Sequence, residues 1–180
     1  MKSISIYICL AAALLLLMSC SSSSEPDASK ANAAELSLSK YGKYVVTELI
    51  MPEEKQKIDA EYSKYANRIL WMDENVVEGA FHVNTSWYLK AATTLADKPH
   101  VHDTDEIIGF FSNDPGKPYE LGGEVEIWLE DEKQVITKSA MIFIPAGMKH
   151  CPLILKRVDR PIFHFSIVPS GLYVREDNKD

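Results

Sequence analysis

From Gly79 onward, short apolar or alternating stretches are separated by clusters of turn-forming residues. Residues 80–88, 106–112, 123–129, 134–138, 141–144, 151–156 and 162–168 read as strands, because a period of two places alternate side chains on one sheet face. The breaks carry turn chemistry: Asn113-Asp114-Pro115-Gly116, Gly122-Gly123, Asp131-Glu132 and Pro145-Ala146-Gly147. Strands at this spacing, with no helical period between them, predict an all-β sandwich or barrel. Upstream, residues 44–50 are rich in β-branched side chains and predict a first strand. Pro52-Glu53-Glu54 then opens a short N-terminal helix, and Ile58, Tyr62, Tyr65 and Ile69 share one face of it. The acidic stretch 112–123, which bears Pro and Gly, is expected as a loop at the rim of the β-structure.

The front of the chain has a different pattern. Lys2 precedes an apolar run over residues 6–18, shorter than the roughly 20 residues a membrane-spanning helix needs. It ends in Leu17-Met18-Ser19-Cys20, which resembles the lipobox of bacterial lipoproteins. The resemblance implies a signal peptide over residues 1–19 and a lipid on Cys20 that anchors the protein to a membrane of the bacterial cell envelope. Ser21, in place of an acidic residue, favours the outer membrane and leaves open whether the domain faces the periplasm or the surface. Residues 20–40 are Ser-, Ala- and Lys-rich and read as a tether. The expected plan is then an N-terminal strand and helix over residues 41–74, the main domain over 75–172 and a polar tail over 173–180.

Composition narrows the function. Hydrophobic residues are 46% and charged residues 25%, which excludes collagen-like and wholly disordered chains. A formal charge of −7 offers a nucleic acid no counterion-release attraction, so no nucleic-acid partner is expected. The cysteines are Cys9, Cys20 and Cys151; with the first in the signal and the second lipidated, no intrachain disulfide is expected.

Three of the five histidines fall in two tight motifs, His100-Val101-His102-Asp103-Thr104-Asp105-Glu106 and Pro145-Ala146-Gly147-Met148-Lys149-His150. Histidines two apart on an extended chain point to the same side, so His100 and His102 suit one ion. Glu106 would stand about 13 Å beyond His102 on a straight strand, at ~3.3 Å per residue. A reversal through Asp103-Thr104-Asp105 is therefore needed, and a hairpin is expected there. His150 follows a Pro-x-Gly turn and completes a set of three imidazoles and one carboxylate. Such a set suits one divalent transition metal such as Fe, Mn, Zn, Ni or Cu, with positions left for water or substrate.

The spacing His-x-His-x-x-x-Glu followed by Pro-x-Gly-x-x-His resembles the two signature motifs of the cupin superfamily. The resemblance implies an antiparallel jelly-roll barrel over about residues 75–170, with metal ligands at His100, His102, Glu106 and His150. The pattern departs from the family's at Thr94, Asn113 and Ile154, none of them a ligand position. The implied function is a metal-dependent enzyme acting on a small polar organic molecule, by isomerase, lyase or dioxygenase chemistry. The other readings are a non-catalytic lipoprotein that captures a metabolite or metal, and a metal-free protein–protein module. The resemblance also implies a homodimer through the outer sheet or an exchanged N-terminal segment, with a monomer capped by that segment as the equal alternative.

Other polar residues have alternative roles. On residues 80–88, His82, Asn84, Ser86 and Tyr88 alternate with Phe81, Val83 and Trp87; the polar face is expected to be solvated or at an interface, which leaves Tyr88 as a pocket-lining candidate only if that face turns inward. His164 is either a buried, hydrogen-bonded imidazole or a pocket-lining acid/base. Cys151 is expected to point away from the metal as a structural thiol, and Trp71, Trp87 and Trp128 are expected in the core. Glu124, Glu126, Glu130, Asp131 and Glu132 read as a solvated hairpin.

Overall fold

The computed structural model describes residues 35–36, 38–92, 98–174 and 176–177. The expected signal peptide, Cys20, most of the tether and Thr94 lie outside the described residues. Among the described residues, the helix α1 (Glu53–Tyr62) precedes ten strands: β1 (Ala66–Met72), β2 (His82–Tyr88), β3 (His100–Val101), β4 (Glu106–Phe111), β5 (Glu120–Leu129), β6 (Glu132–Lys138), β7 (Ala140–Ile144), β8 (His150–Val158), β9 (Ile162–Val168) and β10 (Glu176–Asp177). They form two antiparallel five-stranded sheets, ordered β1-β2-β9-β4-β7 and β10-β3-β8-β5-β6. Neighbours in each sheet are mostly distant in sequence, the arrangement of a jelly roll, and the all-β class expected from the pattern is the one observed.

The inner faces of the two sheets share one apolar core. Ile108, Phe110, Ile144 and Ile162 come from the first sheet and Leu121, Val125, Ile127 and Leu155 from the second, all nearly or fully inaccessible. Each such side chain contributes roughly 1.5–3 kcal/mol by leaving water. This core forms a floor beneath the mouth where β3, β4 and β8 begin.

Three local expectations are corrected. Residues 45–50 form no strand; a single 3₁₀ turn, Gly42–Tyr44, precedes them, and Val45, Leu49 and Ile50 remain exposed. They pair with no strand among the described residues, and β-propensity without a partner does not make a strand. The helix stops at Tyr62 rather than running to Ile69: the Ser63 N–H bonds to the Asp59 carbonyl, a turn follows, and β1 then pairs with β2 from Ala66↔Tyr88 to Met72↔Val83. Arg68 on β1 ties the helix down, with Nε donating to Asp59 Oδ1 at 2.9 Å, the guanidinium 4.4 Å above the Tyr62 ring, and a second N–H donating to Asn84 Oδ1.

The third correction concerns which face is which. On β2 the polar residues look inward: His82, Ser86 and Tyr88 are buried, whereas Phe81 is half exposed. On β9 and β4, likewise, His164 and Glu106 are buried while Ile107 is more open. The polar face of β2 therefore lines the interior, and the solvated reading of His82 does not hold.

Candidate metal centre

The two motifs are joined at one corner of the fold. Asp103-Thr104-Asp105 does not make a hairpin; it carries the chain from β3 in one sheet to β4 in the other. The bend still returns Glu106 to His102, with Oε2 and Nε2 3.2 Å apart. The turn of the second motif is fastened onto the same corner: the Gly147 N–H donates to the His102 carbonyl at 2.8 Å and the Ala146 N–H to Asp105 Oδ1 at 2.9 Å. Gly147 has φ +79°, a conformation that glycine adopts without steric cost. His150 then opens β8 directly opposite His100 on β3.

The histidine rings are oriented by main-chain acceptors. Nδ1 of His100 lies 2.7 Å from the Lys98 carbonyl, that of His102 lies 2.6 Å from Val174 O, and that of His150 lies 3.1 Å from Met148 O. A ring nitrogen beside a carbonyl carries the proton, so in each neutral imidazole Nε2 presents its lone pair. His150 Nε2 lies 3.1 Å from Glu106 Oε2, the same oxygen that faces His102. Two lone pairs facing one carboxylate require a positive charge between them, a proton or a metal ion. All four residues are at most 3% exposed, so water screens little of that demand. Burial raises the Glu106 pKa, but with protons on the facing Nε2 atoms the hydrogen bonds and charge of His102 and His150 overcome this and hold it at about 2, so a positive charge in that gap keeps the carboxylate ionised.

His102, Glu106 and His150 form one compact group whose donor atoms lie within 4.8 Å of one another. His100 belongs to a second, overlapping group with His150 and Cys151, so the four expected ligands are gathered at one mouth as two triads sharing His150. The ring centroids of His100 lie 4.9 Å from His102 and 4.3 Å from His150. Cys151 departs from its expected direction. Its φ of +69° breaks the strand alternation, and the buried thiol stays within reach of His100 and His150. The donor chemistry fits a borderline divalent cation, with the thiolate set adding affinity for softer ions.

His164 and Tyr88 lie deeper in the interior. Their rings stack at 4.7 Å, Phe110 lies 5.2 Å from His164, and His164 Nδ1 faces Gly109 O at 3.1 Å. Burial pushes the His164 pKa down to about 4, against the Gly109 carbonyl and the Glu106 charge, with Arg68 adding to the fall. Tyr62 and Tyr65 close that end over Tyr88, at 6.1 and 6.4 Å. Of the tryptophans, Trp71 is buried, with Nε1 donating to Asp73 Oδ2 at 2.8 Å and the His82 ring 4.4 Å away.

Sequence reasoning missed Tyr173. Its hydroxyl lies 3.3 Å from His100 Nε2, and its ring lies 5.0 Å from His102 and 4.9 Å from His82. The available signal was the apolar triplet Leu172-Tyr173-Val174 after the Ser170-Gly171 turn, at the edge of a stretch that otherwise reads as a polar tail.

No protein-family model matches the chain, and no curated protein matches it. Similar solved structures include an oxalate oxidase in complex with the substrate analogue glycolate (13% identity, TM-score 0.41, covering 62% of this chain and 53% of that one). Others are a recombinant oxalate oxidase with glycolate (11%, 0.46, 75% and 63%) and a cupin protein from Bacteroides fragilis (17%, 0.38, 60% and 82%). The chain thus spans 53% and 63% of the lengths of the two oxidases. At these identities and scores the likeness bears on neither ligand nor reaction.

Proposed function

We propose that this chain is a lipid-anchored protein of the bacterial cell envelope that holds one divalent transition metal through His100, His102, Glu106 and His150 and acts on a small polar organic molecule. The observation that supports it most is the convergence of the His102 and His150 Nε2 atoms on Glu106 Oε2, with both Nδ1 atoms occupied by carbonyls. A bound ion supplies Lewis acidity toward substrate oxygens. The chain's own contribution is orientation and exclusion of water. The carbonyls of Lys98, Met148 and Val174 hold the rings, Glu106 brings the single negative charge, and the aromatic interior behind it keeps the site dry.

The reaction is of isomerase, lyase or dioxygenase type. Metabolite capture without turnover is the second reading, supported by the state of His164: its Nδ1 is engaged, its ring is stacked and its pKa is about 4, so it is a poor proton shuttle at neutral pH.

Elemental analysis of the purified chain from Ser21 onward is expected to give about one transition metal per molecule. The double variant His102→Ala/Glu106→Ala is expected to give less than a tenth of that, and equal metal in both would refute the site. The anchor is tested separately. Cys20→Ala should move the protein from the membrane fraction to the soluble fraction of the envelope and abolish labelling by a radioactive fatty acid.

A further inference from the structure

The C-terminal segment lies across the mouth. The His82 N–H donates to Ser170 O at 2.8 Å and the Glu74 N–H to Gly171 O at 3.0 Å, which fastens the segment to one side. On the other side Val174 O receives the His102 Nδ1 proton, and β10 pairs with β3 through Glu176↔Val101 and Asp177↔His100. Leu172 and Val174 face outward, 41% and 58% exposed, so the alternation turns Tyr173 toward the histidines.

Two facts fix what the phenol does there. His100 Nδ1 is engaged with the Lys98 carbonyl, so the lone pair that Tyr173 O–H meets at 3.3 Å is the one His100 would give to a cation. Each pairwise spacing is also one that neighbouring donors on an ion take. Donor atoms at adjacent positions around an ion with bonds of about 2.1 Å stand roughly 3.0 Å apart. The contacts at this mouth are 3.2 Å for His102–Glu106, 3.1 Å for His150–Glu106 and 3.3 Å for Tyr173–His100.

We propose that Tyr173, carried in by the C-terminal strap, is a fifth protein ligand of the metal centre. This rests on the reading that the centre holds a metal. When a cation takes the His100 lone pair, the phenol can no longer donate to it. The O–H bond breaks, the oxygen–metal bond forms and the proton passes to the buffer. A phenolate is a hard, anionic donor, so it favours ferric over softer ions and leaves one fewer position for exogenous ligands.

The test uses Fe(III), supplied as its nitrilotriacetate chelate to the metal-free chain from Ser21 onward. Iron per chain is measured by elemental analysis, and the iron environment by visible absorption and resonance Raman spectroscopy. The expected result is one iron per chain with a visible charge-transfer band and phenolate ring modes in wild type. Tyr173→Phe should keep its iron and lose at least nine-tenths of the band, whereas Cys151→Ser should keep both, which separates phenolate from thiolate ligation. Iron bound without phenolate modes, or a band that survives in Tyr173→Phe, overturns the assignment of Tyr173 and leaves the metal site standing. No iron in wild type overturns the assignment of Tyr173, and the metal site itself falls only if wild type and His102→Ala/Glu106→Ala also hold equal divalent metal.

Discussion

At the scale of single residues, His164 makes a clear thermodynamic prediction. A histidine ordinarily titrates near 6.5, and burial between Tyr88 and Phe110 moves this one to about 4. Between those values the unfolded chain binds a proton that the folded chain refuses. The contribution of His164 is therefore intact above pH 6.5, falls as pH is lowered, and is fully lost below pH 4. Two and a half pKa units correspond to about 3 kcal/mol. In His164→Asn the amide N–H can still reach the Gly109 carbonyl, and the group does not titrate. Urea unfolding in the presence of chelator should show wild type losing about 3 kcal/mol more than the variant between pH 7 and pH 4. Parallel stability profiles would show that the ring is not held neutral. The metal-site histidines were legible from sequence because a two-residue spacing and an obligatory reversal can be read from one strand. His82 was not, since its polar strand face was assigned to solvent, and the half-buried Asn84 with the buried Ser86 and Ser166 beside it forms a hydrogen-bonded interior that supports polar side chains. Tyr173 was missed because its contact spans 73 residues and the apolar triplet Leu172-Tyr173-Val174 is the one local hint of it.

At the scale of elements, turn chemistry outperformed helical periodicity. Every strand expected after Gly79 is present, because most are bounded by Gly, Pro, Asn or Asp and all pair with a neighbouring strand. The stripe Ile58, Tyr62, Tyr65 and Ile69 fits a helix, yet residues 69–72 are an equally good strand, and the open edge of β2 decides for the strand. The short strands β3 and β10 are too brief to carry any period. The most consequential element is the turn at residues 145–148, whose Gly147 N–H holds the His102 carbonyl. A Cβ at Gly147 would meet nothing within 4 Å, so Gly147→Ala costs only the left-handed backbone, about 1 kcal/mol. Gly79 has nearly the same φ, +77°, with equally open surroundings, but lies outside the site. Both alanine variants should lower the urea midpoint by the same small amount with an unchanged slope. Only Gly147→Ala should also weaken metal binding, by about tenfold in a chelator competition. Equal metal affinities would mean that the turn does not position His150 and His102.

At the scale of the whole molecule, the ligands span the sandwich: Glu106 belongs to one sheet, His100 and His150 to the other, and His102 to the corner between them. A bound ion therefore ties the two layers together at the mouth, and the strap adds a third attachment through Val174 and β10. The unfolded chain keeps none of these donors in register, so the ion binds the native state and stabilises it by mass action. At a free metal concentration one hundred times the dissociation constant the gain is about 2.7 kcal/mol. For a domain of this size each kcal/mol moves the melting temperature by roughly 2–4 °C, so removal of the metal should lower it by about 5–10 °C. Calorimetry before and after dialysis against a chelator measures this directly, and re-addition of the metal should restore the original value. His102→Ala/Glu106→Ala should be indifferent to chelator. It should also melt no lower than the chelated wild type, because it removes a buried carboxylate together with one of the lone pairs facing it. A wild-type melting temperature that ignores both chelator and added metal would mean that the two sheets are held by their core alone and that the four side chains meet without binding an ion.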